Sequence, residues 1–408
     1  MPVRELPAHP NVRQLKHQAK DLLRAARAGE SAALAAFAEF HPEPIDPHSA
    51  KLADAHLVLA RNYQAASWPQ LMAVCGVIEA ISANDFETVR RLTRTHPALV
   101  HDRRGGRHAG WRRAVVDAAN LALRRVVMTL RGHGARDVSA ALGRPDLRQW
   151  IEALRLLGQV GAQPPSDAVG GAVEILHGAD FALMVEVGAD VCGHKGLTAL
   201  ALETYTRNPE SKHRILEIMA AQGVPLPDTP PMAVHRGRLD LLDRHLQRDP
   251  TLLERTFSHQ DIWPPSLECH ADESLALHGA PLAGATLLHM AVDYEERGIA
   301  EWLLDRGADV NARALVDSSG FGGHTPLFNC VVSYNAGRAD DPLARLLLDR
   351  GADPNARASI SKRLPFARDK AVHEYRDVTP LGWGRRFHDQ SYVSAAAMRL
   401  IAERGGRE

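Results

Sequence analysis

The chain has 408 residues, 45% of them hydrophobic and only 5% aromatic, with 49 Lys+Arg balanced by 49 Asp+Glu. That length is more than one compact core usually serves, so the chain is either several domains or a repeat array. Zero formal net charge excludes a global field that would gather DNA or an anionic membrane. Four scattered cysteines without a C-x-x-C exclude a zinc knuckle or a disulfide framework and suit a reducing compartment.

The opening stretch MPVRELPAHPNVRQLKHQAK has no apolar core of a secretory signal. No later stretch approaches the roughly 18 uninterrupted apolar residues of a membrane span. The expected location is therefore the cytoplasm. The basic charge is mostly Arg, which with heavy Ala and Gly usage points to a GC-rich bacterial genome.

Residues 1–80 are expected to be helical. NVRQLKHQAKDLLRAARAGESAALAAF reads as amphipathic helix, a Gly-Glu-Ser break, then helix. LADAHLVLARNYQAASWPQLMAVCGVIEAI gives two more helices, with Ser67 as the N-cap before Trp68 and Pro69. Residues 81–195 follow as degenerate helix pairs, with 112–135 keeping the helical period.

A punctuation repeats along the chain. Gly-Ala pairs or their variants stand at 134, 161, 188, 223, 307 and 351, and two are extended, GADVNAR at 307–313 and GADPNAR at 351–357. Each of these two follows a Leu-rich helix end, WLLDR or LLLDR. Before each unit stands a second mark: GLTAL (196–200), GATLLH (284–289), GHTPLF (323–328) and DVTPLG (377–382). Thr suits an N-cap, Pro the first helical position, and Gly a left-handed helix stop. Asp309, Asn311 and Asn355 are turn formers. No single unit has enough apolar surface to form a core, so the units must stack.

These motifs resemble ankyrin repeats, whose Thr-Pro-Leu-His opening and Leu-Leu-x-x-Gly-Ala-Asp close they follow. The resemblance implies an all-α class: an ankyrin-repeat solenoid of about seven helix pairs with enlarged β-turn fingers. Thr286 and Gly307 lie 21 positions apart, as in the family pattern. Thr325 to Gly351, Thr379 to Gly405 and Thr198 to Gly223 run 26, 26 and 25, so those units carry extra residues inside the helix pair. The expected layout is a helical N-terminal cap over 1–80, degenerate ankyrin-like repeats over 81–195 and repeats over 196–253. A long finger insertion over 254–285 and C-terminal repeats with a terminal cap over 286–408 complete it.

The fingers are the places where a function is expected, because insertions in repeat arrays map to one face and long loops tend to be functional. In the family about 12 positions separate the late Gly from the next Thr. Here Gly307 to Thr325 is 18, Gly351 to Thr379 is 28, and Asp249, in place of the late Gly, to Thr286 is 37. The first finger (258–284) holds Asp261, Glu268, Asp272 and Glu273 without a Lys or Arg, and carries Trp263 beside Pro264 and Pro265. The second (314–323) sets Phe321 among glycines. The third (358–376) carries Lys362, Arg363, Arg368, Lys370 and Arg376 against Asp369 and Glu374. Acidic and basic fingers could fold onto each other, or face a bipolar partner. Exposed ion pairs contribute only ~0–1 kcal/mol, so aromatic anchors must decide the arrangement.

The last unit departs from its pattern: after Thr379-Pro380-Leu381 it reads Gly382-Trp383-Gly384-Arg385-Arg386. Arg385 and Arg386 suit a solvated cap face, and the two glycines imply close backbone approach. The candidate contact residues for a partner are Trp263, Phe321, Arg363, Phe366, Tyr375, Trp383, Arg385 and Arg386.

Catalytic signatures are missing: there is no H-E-x-x-H, P-loop, G-x-S-x-G or G-x-G-x-x-G. His259, Cys269, His270 and His278 have ligand chemistry for zinc, but at a spacing that fits no site, so no metal and no cofactor is expected. Asp261, Glu268, His270, His373 and Glu374 form the one conceivable acid–base set, and nothing in their spacing demands it. His289 occupies the family's structural histidine position. The resemblance thus implies a non-catalytic scaffold recognising a protein partner through fingers and concave helices. The competing reading is an enzyme or small-molecule binder using a cleft under the fingers. For nucleic acid, the third finger is the only basic candidate.

Overall fold

The computed structural model describes residues 4–100, 110–135, 141–142, 144–164, 166–271, 279–364 and 369–408. The chain forms two compact units, one of residues 1–166 with 183–190, the other of 167–182 with 191–408.

In the first unit, α1 (Val12–Arg27), α2 (Ser31–Phe40) and α3 (Leu52–Asn62) pack around Ala26, Ala33, Ala36, Phe37 and Val58. Asn11 Oδ1 caps α1 by accepting the Gln14 N–H at 3.1 Å. Next comes α4 (Trp68–Ala83), whose Ser67 hydroxyl accepts the Gln70 N–H, as the Ser-Trp-Pro stop-start predicts. That helix is apolar around most of its circumference and is correspondingly buried, with Leu71, Val74, Val77, Ile78 and Ile81 inside. The helices α5 (Phe86–Thr95), α6 (Gly110–Gly132) and α7 (Arg148–Gln159) follow. Next in the chain are α8 (Ser166–Glu174) and α9 (Gly178–Val187), and the division between units falls within α9.

The second unit holds the legible repeats. Its helix pairs are α10 (Leu197–Glu203) with α11 (Pro209–Ala221), and α12 (Pro230–His235) with α13 (Leu239–Arg248). After the short α14 (His259–Ile262) come α15 (Leu287–Asp293) with α16 (Arg297–Asp305), α17 (Pro326–Val331) with α18 (Pro342–Asp349), and α19 (Pro380–Arg386) with α20 (Ala395–Glu403). Thr229 and Thr379 cap their helices through Oγ1. Gly307 and Gly351 stop the second helices at φ 94° and 89°, where a Cβ would be strained. Ala308 and Ala352 then bond back to Leu303 O and Leu347 O at 3.0 and 2.9 Å.

The Asn of GADVNAR does more than turn the chain. Asn311 Nδ2 donates to Gly351 O at 3.1 Å, while its Oδ1 accepts the Asp353 N–H at 2.7 Å. One unit later Asn355 repeats both bonds with Gly405 O and the Arg407 N–H. The Arg before each Gly pairs with an Asp on the second helix of the preceding unit: Arg306 with Asp243, Arg350 with Asp305, Arg404 with Asp349. Identical residues make identical bonds to the next unit, which is how a repeat array closes without a central core.

The expectation of an all-α chain holds in a coarser form, as mostly helical with few strands. The second unit is mostly helical, but it contains two small antiparallel pairs. One is the short match of β1 (Thr256–Phe257) with β2 (Ala285–Thr286), which closes the base of the first finger. The other is a hairpin of β3 (Ala358–Arg363) and β4 (Val372–Val378). The third finger is that hairpin. Its first strand alternates inward Ala358, Ile360 and Lys362 with outward neighbours, a period of two that makes a strand more favourable than a loop.

Candidate functional site

The described part of the first finger is tied down over the second unit's own helices. Trp263 is only 2% exposed. Its Nε1–H points to Tyr294 Oη at 3.0 Å and Leu202 O at 3.4 Å, and the Tyr294 hydroxyl also donates to Leu202 O at 2.9 Å. His235 bonds Ile262 O at 3.1 Å and stands edge-on to Tyr294. Glu268 accepts the Gly196 N–H, and His270 pairs with Glu203 at 2.8 Å. The two described acidic residues of this finger are thus spent, Glu268 on Gly196 and Asp261 on the internal cap with Ser258. Trp263 is therefore an internal anchor, which corrects its assignment as a partner contact: an indole with both its ring buried and its N–H bonded has nothing left to offer.

Beneath this finger lies a buried polar cluster for which the sequence carries no local signal. Arg207 and Asp293 form an ion pair at 2.9 Å with almost no exposure, and the Arg207 guanidinium lies over the rings of Tyr294 and Tyr334. Lys212 and Glu296 pair at 3.1 Å, and His213 reaches the same carboxylate at 2.9 Å. Burial pushes the Lys212 amine below its usual range, partly offset by Glu296. Arg207, Asp293, Lys212 and Glu296 are closed to solvent, His213 reaches the surface, and the cluster serves as a brace between three helix pairs.

The second and third fingers are joined to each other. Gly322 and Ser359 form a β-bridge, and the Arg376 guanidinium lies 4.3 Å from the half-buried Phe321 ring centre. The Phe321 N–H is itself held by Asp317 Oδ1 at 2.9 Å. Held this way, the pair leaves large apolar side chains in solvent: Leu315 and Val316 are 62% exposed and Val372 is 61% exposed. These three residues were not among the sequence candidates. The signal for them was weak, since an aliphatic residue in a loop reads equally well as buried.

Of the remaining candidates, Arg363 is half-buried, its Nε donating to Lys370 O at 3.1 Å. Arg385 and Arg386 are exposed, and Arg385 pairs with Glu408. Phe366 lies outside the described residues. Tyr375 and Trp383 need correction. Tyr375 is buried, accepting the His388 N–H at 3.0 Å with its oxygen 2.7 Å from His388 Nδ1. Trp383 is fully buried between Phe328 and Phe387, at centroid distances of 5.8 and 5.7 Å. A ring in that position fills the core of the last unit and cannot meet a partner. The close approach implied by its flanking glycines is made by helix neighbours: a Cβ on Gly384 would sit 2.5 Å from Met398 Sδ and 2.8 Å from Val331 Cγ1.

The five acid–base candidates have separate commitments. Besides Asp261, Glu268 and His270, His373 pairs with Asp369 at 2.9 Å and stacks on His388, and Glu374 pairs with Arg376 at 3.1 Å. The zinc-type group is also dispersed: His259 Nε2 bonds His270 O, and the buried Cys269 thiol is pushed up to about 12 by burial and Glu203. His278, Asp272, Glu273 and Arg368 lie outside the described residues. No group of three or more His, Cys, Asp or Glu among the described residues is arranged to hold a metal ion. No helix among them is long and apolar enough to cross a membrane.

His289 is the best-defined histidine. Its Nδ1 accepts from Thr286, with Oγ1 at 2.9 Å, so its Nε2–H donates to His324 O at 3.1 Å, and His324 Nε2 bonds Pro281 O at 2.8 Å. Burial holds His289 down at about 3 and His324 at about 4, so both are neutral structural groups.

Comparison with known proteins agrees with this geometry. The family model described as Ankyrin repeat matches residues 283–315 and 322–359, the stretches that carry α15 to α18 and the two intact Gly-Ala-Asp turns. No curated protein matches the chain.

Proposed function

We propose that this ankyrin-repeat protein recognises a protein partner through its second and third fingers, without catalysing a reaction. Ankyrin repeats generally mediate protein–protein interaction, and the family is typically non-enzymatic. The observation that carries the reading is the presentation of Leu315, Val316 and Val372 on fingers whose backbones are already joined at Gly322 and Ser359. Exposed aliphatic groups on a pinned backbone cost little ordering entropy on binding, which favours a preformed recognition surface. Phe321 with Arg376, and Arg363, give that surface a cationic rim, so its partner is expected to present apolar side chains flanked by carboxylates.

We read the repeat pattern as running through 81–408, behind a helical cap at 1–80, with the first finger as internal support. Four free cysteines favour a reducing, cytoplasmic setting. The test is affinity capture from native lysate with the intact chain and with a Leu315→Asp/Val316→Asp/Val372→Asp variant. All three residues are solvent-facing, so the variant should melt like the parent. A partner held by the parent and lost by the variant supports the reading; equal capture by both refutes it.

A further inference from the structure

Three helix pairs of the second unit carry extra residues between their helices, and two of these insertions build a cavity. The loops after α17 and α19 pair through a Val332–Val393 bridge and through Ser333 N–H to Tyr392 O at 2.8 Å. They follow the C-terminal ends of helices whose N-terminal ends receive the fingers, so they form a different edge of the unit. With α15 and α17 they enclose about 70 Å³. A water needs roughly 10–15 Å³ of such space, so the cavity exceeds a single water and suits a small head group.

Its lining has acceptors to spare. Asn329 is 3% exposed. Its Nδ2 donates to Ala280 O at 3.2 Å and Asp293 Oδ1 at 3.3 Å, which fixes the amide and leaves Oδ1 at the cavity without a partner. Asp341 caps α18 by accepting the Ala344 N–H on Oδ1 at 2.9 Å. Its Oδ2 accepts from the Ser394 hydroxyl at 3.3 Å, and no ion pair reaches it among the described residues. The arginines at the cavity are already paired, Arg338 with Glu295 of the same lining and Arg297 with Glu301. Burial raises the Asp341 carboxyl above its usual range. The buried Cys330 thiol in the wall is raised first by burial and then by Asp341, Glu295 and Asp293.

A buried acceptor left open and a carboxylate without a counter-charge both call for a donor cation. A guanidinium would want both oxygens of one carboxylate, and Asp341 Oδ1 is already committed to the helix. An ammonium is a compact charge with three donors, matching Asn329 Oδ1, Asp341 Oδ2 and a hydroxyl of Ser333 or Ser394.

We infer that this cavity binds a primary ammonium group, presented either by a lysine side chain of a protein or by a free alkyl diamine. The site lies apart from the finger surface, so its failure and that of the finger reading are separable.

The test titrates the full chain calorimetrically with Nα-acetyl-lysine methylamide, with 1,4-diaminobutane, and with the Nε-acetylated lysine analogue. Both amines should bind and the acetylated analogue should not. Tighter binding of the lysine probe points to a protein source, and tighter binding of the diamine to a metabolite. Asp341→Asn keeps the cap, since Asn caps well, but removes the charge; it should weaken binding about tenfold or more. Amide resonances of Cys330 and Ser394 in the unmodified chain should shift during the titration. Absence of binding up to millimolar amine, unchanged affinity in Asp341→Asn, or shifts confined to other residues would each overturn the inference.

Discussion

Arg207 and Asp293 stand 86 residues apart in the chain and meet as a buried ion pair, Nη2 to Oδ2 at 2.9 Å. Asp293 also accepts the Gly279 N–H at 2.7 Å and the Asn329 amide, so one carboxylate ties α15 to α17, to the first finger's return and to the loop after α10. Removing one partner of such a pair leaves a buried charge unanswered and costs about 3–5 kcal/mol. Asp293→Ala is expected to lower unfolding stability by that amount, measured by urea denaturation. An effect under about 1 kcal/mol would mean the pair is dispensable.

The first finger should loosen as a unit when its anchor is cut. Trp263→Ala is expected to cost about 3–5 kcal/mol and to strip hydrogen-exchange protection from residues 259–270. Phe321→Ala, at a half-exposed ring, should cost no more than about 1 kcal/mol. Equal costs at the two positions would contradict the different burial of the two rings.

Acid should weaken the repeats through His289 and His324. Their folded values, about 3 and about 4, lie below the unfolded value of 6.5, so the unfolded chain binds more protons between those limits. Their stabilising contribution is therefore complete above pH 6.5 and is lost as pH falls towards the folded values, by up to about 1.4 kcal/mol per pH unit for each histidine. His324→Gln retains a donor for Pro281 O and does not titrate. Denaturation midpoints between pH 7 and 4.5 should fall less steeply for it than for the parent; parallel slopes would rule the mechanism out.

Gly384 is expected to reject even a methyl group. The intended Cβ position is 2.5 Å from Met398 Sδ, so Gly384→Ala should cost about 1–3 kcal/mol. Adding Met398→Ala should recover part of that cost, because the long flexible side chain is what blocks the space. Non-recovery would shift the blame to Val331.

The punctuation of the repeats was legible because each mark has a local cause. Thr379 caps the helix it precedes, and Gly307 stops the one it follows. The roles of the aromatics were not legible. Trp263 sits beside two prolines, as a binding residue also would, and its burial depends on Leu202 and Tyr294, which lie 61 and 31 positions away. Trp383 fills the core of the last unit instead of meeting a partner, and its indole N–H lacks the hydrogen-bond partner expected for a buried Trp. The third finger did carry a readable signal. The alternation through Ala358, Ile360 and Lys362 has the period of a strand, although it lies between two repeat marks, where the family pattern has a turn.

The Asn311 and Asn355 bonds sit at the base of each finger, before its inserted residues begin. Spacing between neighbouring units is thereby gauged by a side chain that the insertion never touches. Fingers of 18 and 28 positions ride on the same gauge. A designer could lengthen or shorten the loop beyond Arg313 or Arg357 without touching that gauge, provided that Tyr375 keeps its seat against His388.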